Sequence, residues 1–132
     1  MAHSIPTDRK YTKDHEWAKD EGDGRVRVGV TSYAVEQLGD VTLIDLPPTG
    51  AEATAHEHLG DIESVKTVSE LFAPVSGEIV DINGDLEDQP ELVNDAPYEG
   101  GWIVLIEMSS PAEFDSLMDA ADYEQLLSKL DD

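Results

Sequence analysis

Lys66 is the sole basic residue between Val28 and Ser128, and it sits in the segment Glu63-Ser64-Val65-Lys66-Thr67. The other seven Lys and Arg (Arg9, Lys10, Lys13, Lys19, Arg25, Arg27 and Lys129) lie toward the two ends, whereas an even spread would place most of the eight inside that window. A lone amine in a long acidic stretch can be singled out by a modifying enzyme, and lysine's four-carbon stem can then carry an acyl group outward. Charge alone leaves a plainer reading open, one surface lysine that happened to fall mid-chain. His56 and His58 alternate as two residues on one strand face would and could ligate a metal, but with no further His or Cys pattern around them a solvated strand edge is the better reading. The chain has no cysteine. That excludes disulfides, thiolate metal sites and a cysteine nucleophile, so sulfur redox chemistry would have to arrive on an attached group. Without a Ser–His–Asp spacing or a phosphate-cradling glycine loop, a self-contained enzyme is the weakest class.

The elements around these residues are short and β-rich. Arg25-Val26-Arg27-Val28-Gly29-Val30 alternates polar and apolar residues as a half-buried strand does, and follows a first strand around Glu16-Trp17-Ala18 through the turn Asp20-Glu21-Gly22-Asp23-Gly24. Ser32 is placed to cap a short helix over Tyr33 to Leu38, with Gly39 ending it. Val41 to Leu46 reads as a strand closed by Pro47-Pro48, and further strands are expected at about 56–59, 61–65, 67–72, 77–82 and 102–106. Val65-Lys66 then falls at the tip of a hairpin, where the backbone is held and the side chain is free. Ser110-Pro111-Ala112-Glu113 carries the signature of a capping box with proline at the first helical position. After it, Phe114, Leu117 and Met118, and then Tyr123, Leu126, Leu127 and Leu130, recur at helical spacing, as a helix packed on a sheet requires. Many short strands with regular turns point to a mainly β fold, a small sandwich or flattened barrel with a short helix after the second strand and C-terminal helices. One domain over 1–132 is expected, its core at about 9–108 and its helical segment at about 110–130.

The net charge of −22 argues against a nucleic-acid partner, because neutralising phosphates takes clustered Lys and Arg. The thirty acidic residues are spread along the chain rather than gathered in a tail. A salt-rich cytosol explains that spread better than a docking surface for basic partners, since carboxylates keep a protein hydrated while salt screens their repulsion. No apolar run reaches the roughly 20 residues that cross a bilayer, and the first residues lack a secretory or transit signature, so no membrane contact and a cytoplasmic location are expected.

Several segments follow one another in order: Tyr11-Thr12-Lys13-Asp14-His15-Glu16-Trp17, Gly29-Val30-Thr31-Ser32-Tyr33-Ala34, Leu38-Gly39-Asp40 and Leu46-Pro47. The fullest is Glu63-Ser64-Val65-Lys66, continuing from Ser69 to Asn83, followed by Pro90-Glu91-Leu92-Val93-Asn94 and Pro97 to Trp102. Together they resemble the glycine cleavage system H-protein family. The resemblance implies a lipoyl-carrier fold (the barrel-sandwich hybrid shared with biotinyl carriers) and lipoic acid in amide linkage on Lys66. It implies a shuttle that is not itself an enzyme. The arm would take an aminomethyl group from a pyridoxal-phosphate glycine decarboxylase, pass the carbon to an aminomethyltransferase, and be reoxidised by dihydrolipoamide dehydrogenase through thiol–disulfide exchange. A lipoate ligase or a lipoyl/octanoyl transferase would load it. Glu63 and Gly77 would help that enzyme recognise the site, although a turn with positive φ also explains Gly77. Glu16 would line a cleft sheltering the loaded arm from water, unless it is an ordinary solvated carboxylate.

Val35, Thr67 and the stretch 52–59 depart from the family pattern. Two other functions share these features. A lipoyl relay would donate its group to other enzymes, and a biotin carrier would use a similar hairpin lysine. The second is disfavoured because Val65 and Thr67, rather than methionines, bracket Lys66.

Overall fold

A computed structural model of the chain describes residues 5–130. Its elements in order are β1 (Lys10–Tyr11), β2 (Glu16–Gly22), β3 (Arg25–Val30), α1 (Ser32–Leu38), β4 (Val41–Asp45), β5 (Glu52–Ala53), β6 (His58–Ser64), β7 (Val68–Phe72), β8 (Gly77–Ile82), α2 (Asp85–Asp88), α3 (Leu92–Asp95), β9 (Val104–Met108), α4 (Ala112–Asp115) and α5 (Ala120–Leu130). Two antiparallel sheets result, one of six strands ordered β1-β2-β3-β9-β8-β5 and one of three ordered β4-β6-β7. The fold is mainly β, as the strand pattern requires.

The alternation in β3 explains the packing: Val26, Val28 and Val30 are buried and share a core with Ile62, Leu71, Val75, Ile79 and Ile106, drawn from both sheets. A second cluster of Tyr11, Trp17, Tyr123 and Leu127 sits where α5 crosses β1 and β2. Trp17 packs over Gly29, where a Cβ would stand 2.5 Å from the indole, so the glycine makes room for the ring. Within α5 only Tyr123 and Leu127 are buried, while Leu130 is exposed at the helix end.

Several local expectations are corrected. The cap of α1 is Thr31, whose side chain accepts from the Ala34 N–H at 3.3 Å; Ser32 is already the first helical residue. The capping box at Ser110 does not form. Glu113 instead accepts from the Ser76 N–H at 2.8 Å and the Ser76 hydroxyl at 3.0 Å, tying the one-turn α4 to the loop before β8. The helical spacing of Leu117 and Met118 has no helix beneath it, because Met118 pairs with Tyr11 as an isolated bridge. The strands expected at 56–59 and 61–65 are one strand, β6, continuous through Gly60, and a Cβ on Gly60 would strike the Asp45 carbonyl. His56 lies in the turn before that strand with φ 67, so His56 and His58 do not share a strand face. The one-turn helices α2 and α3 and the short strands β1 and β5 carry too few residues to show a period.

No described helix is long and apolar enough to cross a membrane.

Candidate functional site

The β6–β7 hairpin turns at Ser64-Val65-Lys66-Thr67. The Ser64 N–H donates to the Thr67 carbonyl at 2.8 Å, and the Ser64 hydroxyl accepts from the Lys66 and Thr67 N–H groups, both at 3.2 Å. A serine at the entry to a turn holds the backbone in this way without a glycine. Lys66 is exposed at the tip, as are Val65 at 68% and Val68 at 61%.

The tip is seated on the loop between α1 and β4. The Val65 N–H donates to the Asp40 carbonyl at 3.0 Å, and the Lys66 stem lies over Gly39, where a Cβ would stand 2.8 Å from Lys66 Cε. Gly39 also ends α1 with φ 77, a conformation glycine adopts at little cost. Asn94 of α3 clamps the same loop from behind: its Nδ2 donates to the Gly39 carbonyl and its Oδ1 accepts from the Val41 N–H, both at 2.8 Å. Three segments distant in sequence therefore fix where Lys66 stands.

Beside the tip, Thr67 and Val68 help line a cleft of about 230 Å³ between α1, β7 and the start of β2. Val30, Leu38, Ile62 and Leu71 supply apolar wall, while Asp14, Gln37, Ser69 and Glu70 make the rest polar. Glu16 is at its floor and only 1% exposed, so it is not a solvated surface carboxylate. Glu16 accepts from the Thr12 hydroxyl at 2.6 Å and the Phe72 N–H at 3.2 Å. Burial pushes its carboxyl up to about 7, against those two hydrogen bonds, which favour the charged form. His15 lines the same cleft with left-handed backbone, φ 69, and burial lowers its imidazole below the usual histidine value.

The residues singled out in the sequence separate into two groups. Glu63 is half-buried in β6, paired with Leu43 and Val68, three residues before Lys66 and on the same hairpin. Glu16 lies in the cleft whose rim that hairpin forms. Gly77 is elsewhere: it opens β8 in the other sheet, after β7 has run away from the tip for about 13 Å. The positive φ expected at Gly77 is present, at 157, but in a strand rather than a turn. It pairs with Met108, and a Cβ there would fall into the Glu107 carbonyl and stand 3.0 Å from Ile106 Cγ2. His58 bonds Asp61 at 3.0 Å, which raises its pKa, and among the described residues no group of three or more His, Cys, Asp or Glu is arranged to hold a metal ion. Sequence reasoning placed Gly39 at the end of α1, as observed, but gave neither it nor Ser64 or Asn94 a part in seating Lys66. Each stands inside a quoted motif, but a seat assembled from three segments leaves no periodic signal.

Comparison with known proteins places this geometry. Residues 9–130 match the family described as glycine cleavage H-protein. The glycine cleavage system H protein of Chromohalobacter salexigens is 50% identical over the whole of both chains, and that of Bacillus subtilis is 48% identical over 93% of this chain and 96% of its own. A crystal structure of a glycine cleavage system H protein from Mycobacterium marinum superposes with a TM-score of 0.86 at 41% identity, covering 94% of this chain and 99% of the other. The chain belongs to the glycine cleavage H-protein family.

Proposed function

We propose that this chain is the lipoyl-bearing shuttle of the glycine cleavage system, a carrier rather than an enzyme, with lipoic acid in amide linkage on Lys66. The observation that carries the reading is a seated, exposed lysine next to a cleft with apolar wall residues. An eight-carbon acyl chain suits those residues: Gly39 leaves space for the stem, and Thr67 and Val68 lead from the attachment point to the cleft wall. When bound, the group supplies a dithiolane able to accept a one-carbon amine unit and to cycle between disulfide and dithiol.

The protein's own residues do the rest. The hairpin presents the amine, Val30, Leu38 and Leu71 exclude water from the cleft, and Glu16 can hold or release a proton near neutrality. Glu63, on the same hairpin, is proposed as a contact of the lipoylating enzyme, a lipoate ligase or a lipoyl/octanoyl transferase. Gly77 is assigned a sheet-packing role, its proposed part in recognition acting through the shape of the fold. The partners in turnover are the pyridoxal-phosphate glycine decarboxylase, the aminomethyltransferase and dihydrolipoamide dehydrogenase. We read the whole chain as one carrier domain working in a salt-rich cytoplasm. Support comes from the charge of −22 and from a row of carboxylates, Asp45, Asp61 and Glu70, directly opposite one another across β4, β6 and β7.

Lys66→Arg tests the proposal. The variant folds and melts like the wild type, because Lys66 is exposed, yet it gains no lipoyl mass increment with a purified ligase and supports no glycine decarboxylation with the three partners. Glycine cleavage by Lys66→Arg overturns the assignment. A lipoylated wild type that fails in glycine cleavage but donates its group to other enzymes establishes a relay instead.

A further inference from the structure

Two walls of the cleft meet behind it at a single hydroxyl. Tyr123, from the C-terminal helix α5, places its OH 2.8 Å from His15 Nδ1 and 2.7 Å from Thr31 Oγ1. His15 stands at the entry to β2, and Thr31 caps α1. The two are also joined directly, the Thr31 N–H donating to the His15 carbonyl at 3.0 Å. Tyr33, in the first turn of α1, closes over the imidazole with ring centroids 4.6 Å apart. The Tyr123 ring is fully buried and lies parallel to Tyr11 at 4.8 Å, so the hydroxyl is delivered by a rigid support.

The bonding order around this hydroxyl follows from the donors present. Thr31 Oγ1 already accepts from the Ala34 N–H and has one proton to give. An imidazole nitrogen is a better acceptor than an alcohol, and a phenol a better donor. The contacts admit either donor, and those preferences favour a proton chain from the Thr31 hydroxyl to the Tyr123 oxygen, and from the Tyr123 hydroxyl to His15 Nδ1. That order leaves the ring proton on Nε2, which has no hydrogen-bond partner among the described residues. Burial favours the neutral ring over the charged one.

We propose that Tyr123 is a positioning residue of the cleft: its hydroxyl fixes His15 as the Nε2–H tautomer, a hydrogen-bond donor for the occupant of the cleft, and locks His15 to the cap of α1. This rests on the reading of the cleft as the shelter of the loaded arm. It gives α5 a task beyond covering the sheet, since the helix sets the side chain of a cleft residue 108 positions earlier in the chain.

The test uses the full-length protein and the variant Tyr123→Phe, which keeps the ring and its stacking on Tyr11. In the wild type before lipoylation, the nitrogen-15 spectrum of the His15 ring shows Nδ1 unprotonated and Nε2 protonated. In Tyr123→Phe the two tautomers mix. A wild-type ring protonated on Nδ1 overturns the proposal whether or not the variant folds, and so does a ring spectrum unchanged in a folded Tyr123→Phe. In holo-protein loaded with its one-carbon amine unit, Tyr123→Phe releases that carbon to water as formaldehyde several-fold faster than the wild type, while Tyr123→Phe before lipoylation is acylated at Lys66 at the wild-type rate. An unchanged release rate in the variant also overturns the positioning role. If instead wild-type protein loses the carbon no more slowly than loaded free lipoamide does, the shelter reading itself fails, separately from the tautomer result.

Discussion

Glu16 gives the most quantitative prediction. Its carboxyl is held at about 7 in the fold against 4.5 in a free chain, because burial disfavours the charge more than Thr12 and Phe72 stabilise it. A raised value means that the folded state binds the proton more tightly than the unfolded state does. The stabilisation from that proton is complete below pH 4.5, declines between 4.5 and about 7, and is gone above. The interval spans about 2.5 pH units at about 1.4 kcal/mol each, so the full swing is about 3.5 kcal/mol, of which about 3 kcal/mol falls above pH 4.5. At 1% exposure, solvent screening takes little from that figure. Glu16→Gln cannot ionise, and its amide replaces one accepting oxygen, a constant offset of about 1 kcal/mol against the variant. The assay is urea unfolding of both proteins in molar salt, from pH 4.5 to pH 8, where subtraction removes the other carboxylates. The stability of Glu16→Gln relative to the wild type rises by about 3 kcal/mol across that range. A difference flat to within about 0.5 kcal/mol refutes the reasoning, and with it a proton held on Glu16 near neutrality.

Two further outcomes follow from the sheets. Asp45→Asn removes one like-charge pair from the row on β4, β6 and β7, so it stabilises the protein by about 0.5 kcal/mol in low salt, and the gain disappears in molar salt, where the Debye length is about 3 Å. Urea melts at both ionic strengths measure it; an equal gain at both would mean that repulsion is not the cause. Gly77→Ala drives a methyl group into the β9 backbone and costs about 3 kcal/mol, read by the same melts, while its folded fraction is still lipoylated at Lys66. A fully stable Gly77→Ala that is not lipoylated would make Gly77 a contact of the modifying enzyme.

Much of the fold was legible because burial imposes a period. β3 alternates, so Val26, Val28 and Val30 announced a face, and the hairpin around Lys66 followed from two β-prone runs with a break between them. Errors fell where side chains took partners remote in sequence. Glu113 looked like the end of a capping box and went to Ser76, 37 residues away, because the buried loop there needed an acceptor. Thr31 holds the cap in place of Ser32, and its hydroxyl also meets Tyr123, 92 residues away. The family resemblance indicated Lys66 and Glu16, but neither the burial of Glu16 nor the seat beneath Lys66 has a local pattern. Both arise only when α1, α3 and the hairpin come together.

That seat ties the attachment site to the folding history of the chain. The Val65–Asp40 bond closes a long loop, and the Asn94–Gly39 bond spans 55 residues, so neither survives in an extended or half-formed chain. A modifying enzyme that requires the seated tip acts only after the hairpin, α1 and α3 have all assembled. With lipoic acid on Lys66 as proposed, the acyl group would then serve as a receipt for completed folding. A nascent or damaged copy would remain an unmodified bystander instead of occupying the partner enzymes with an arm that it cannot shelter.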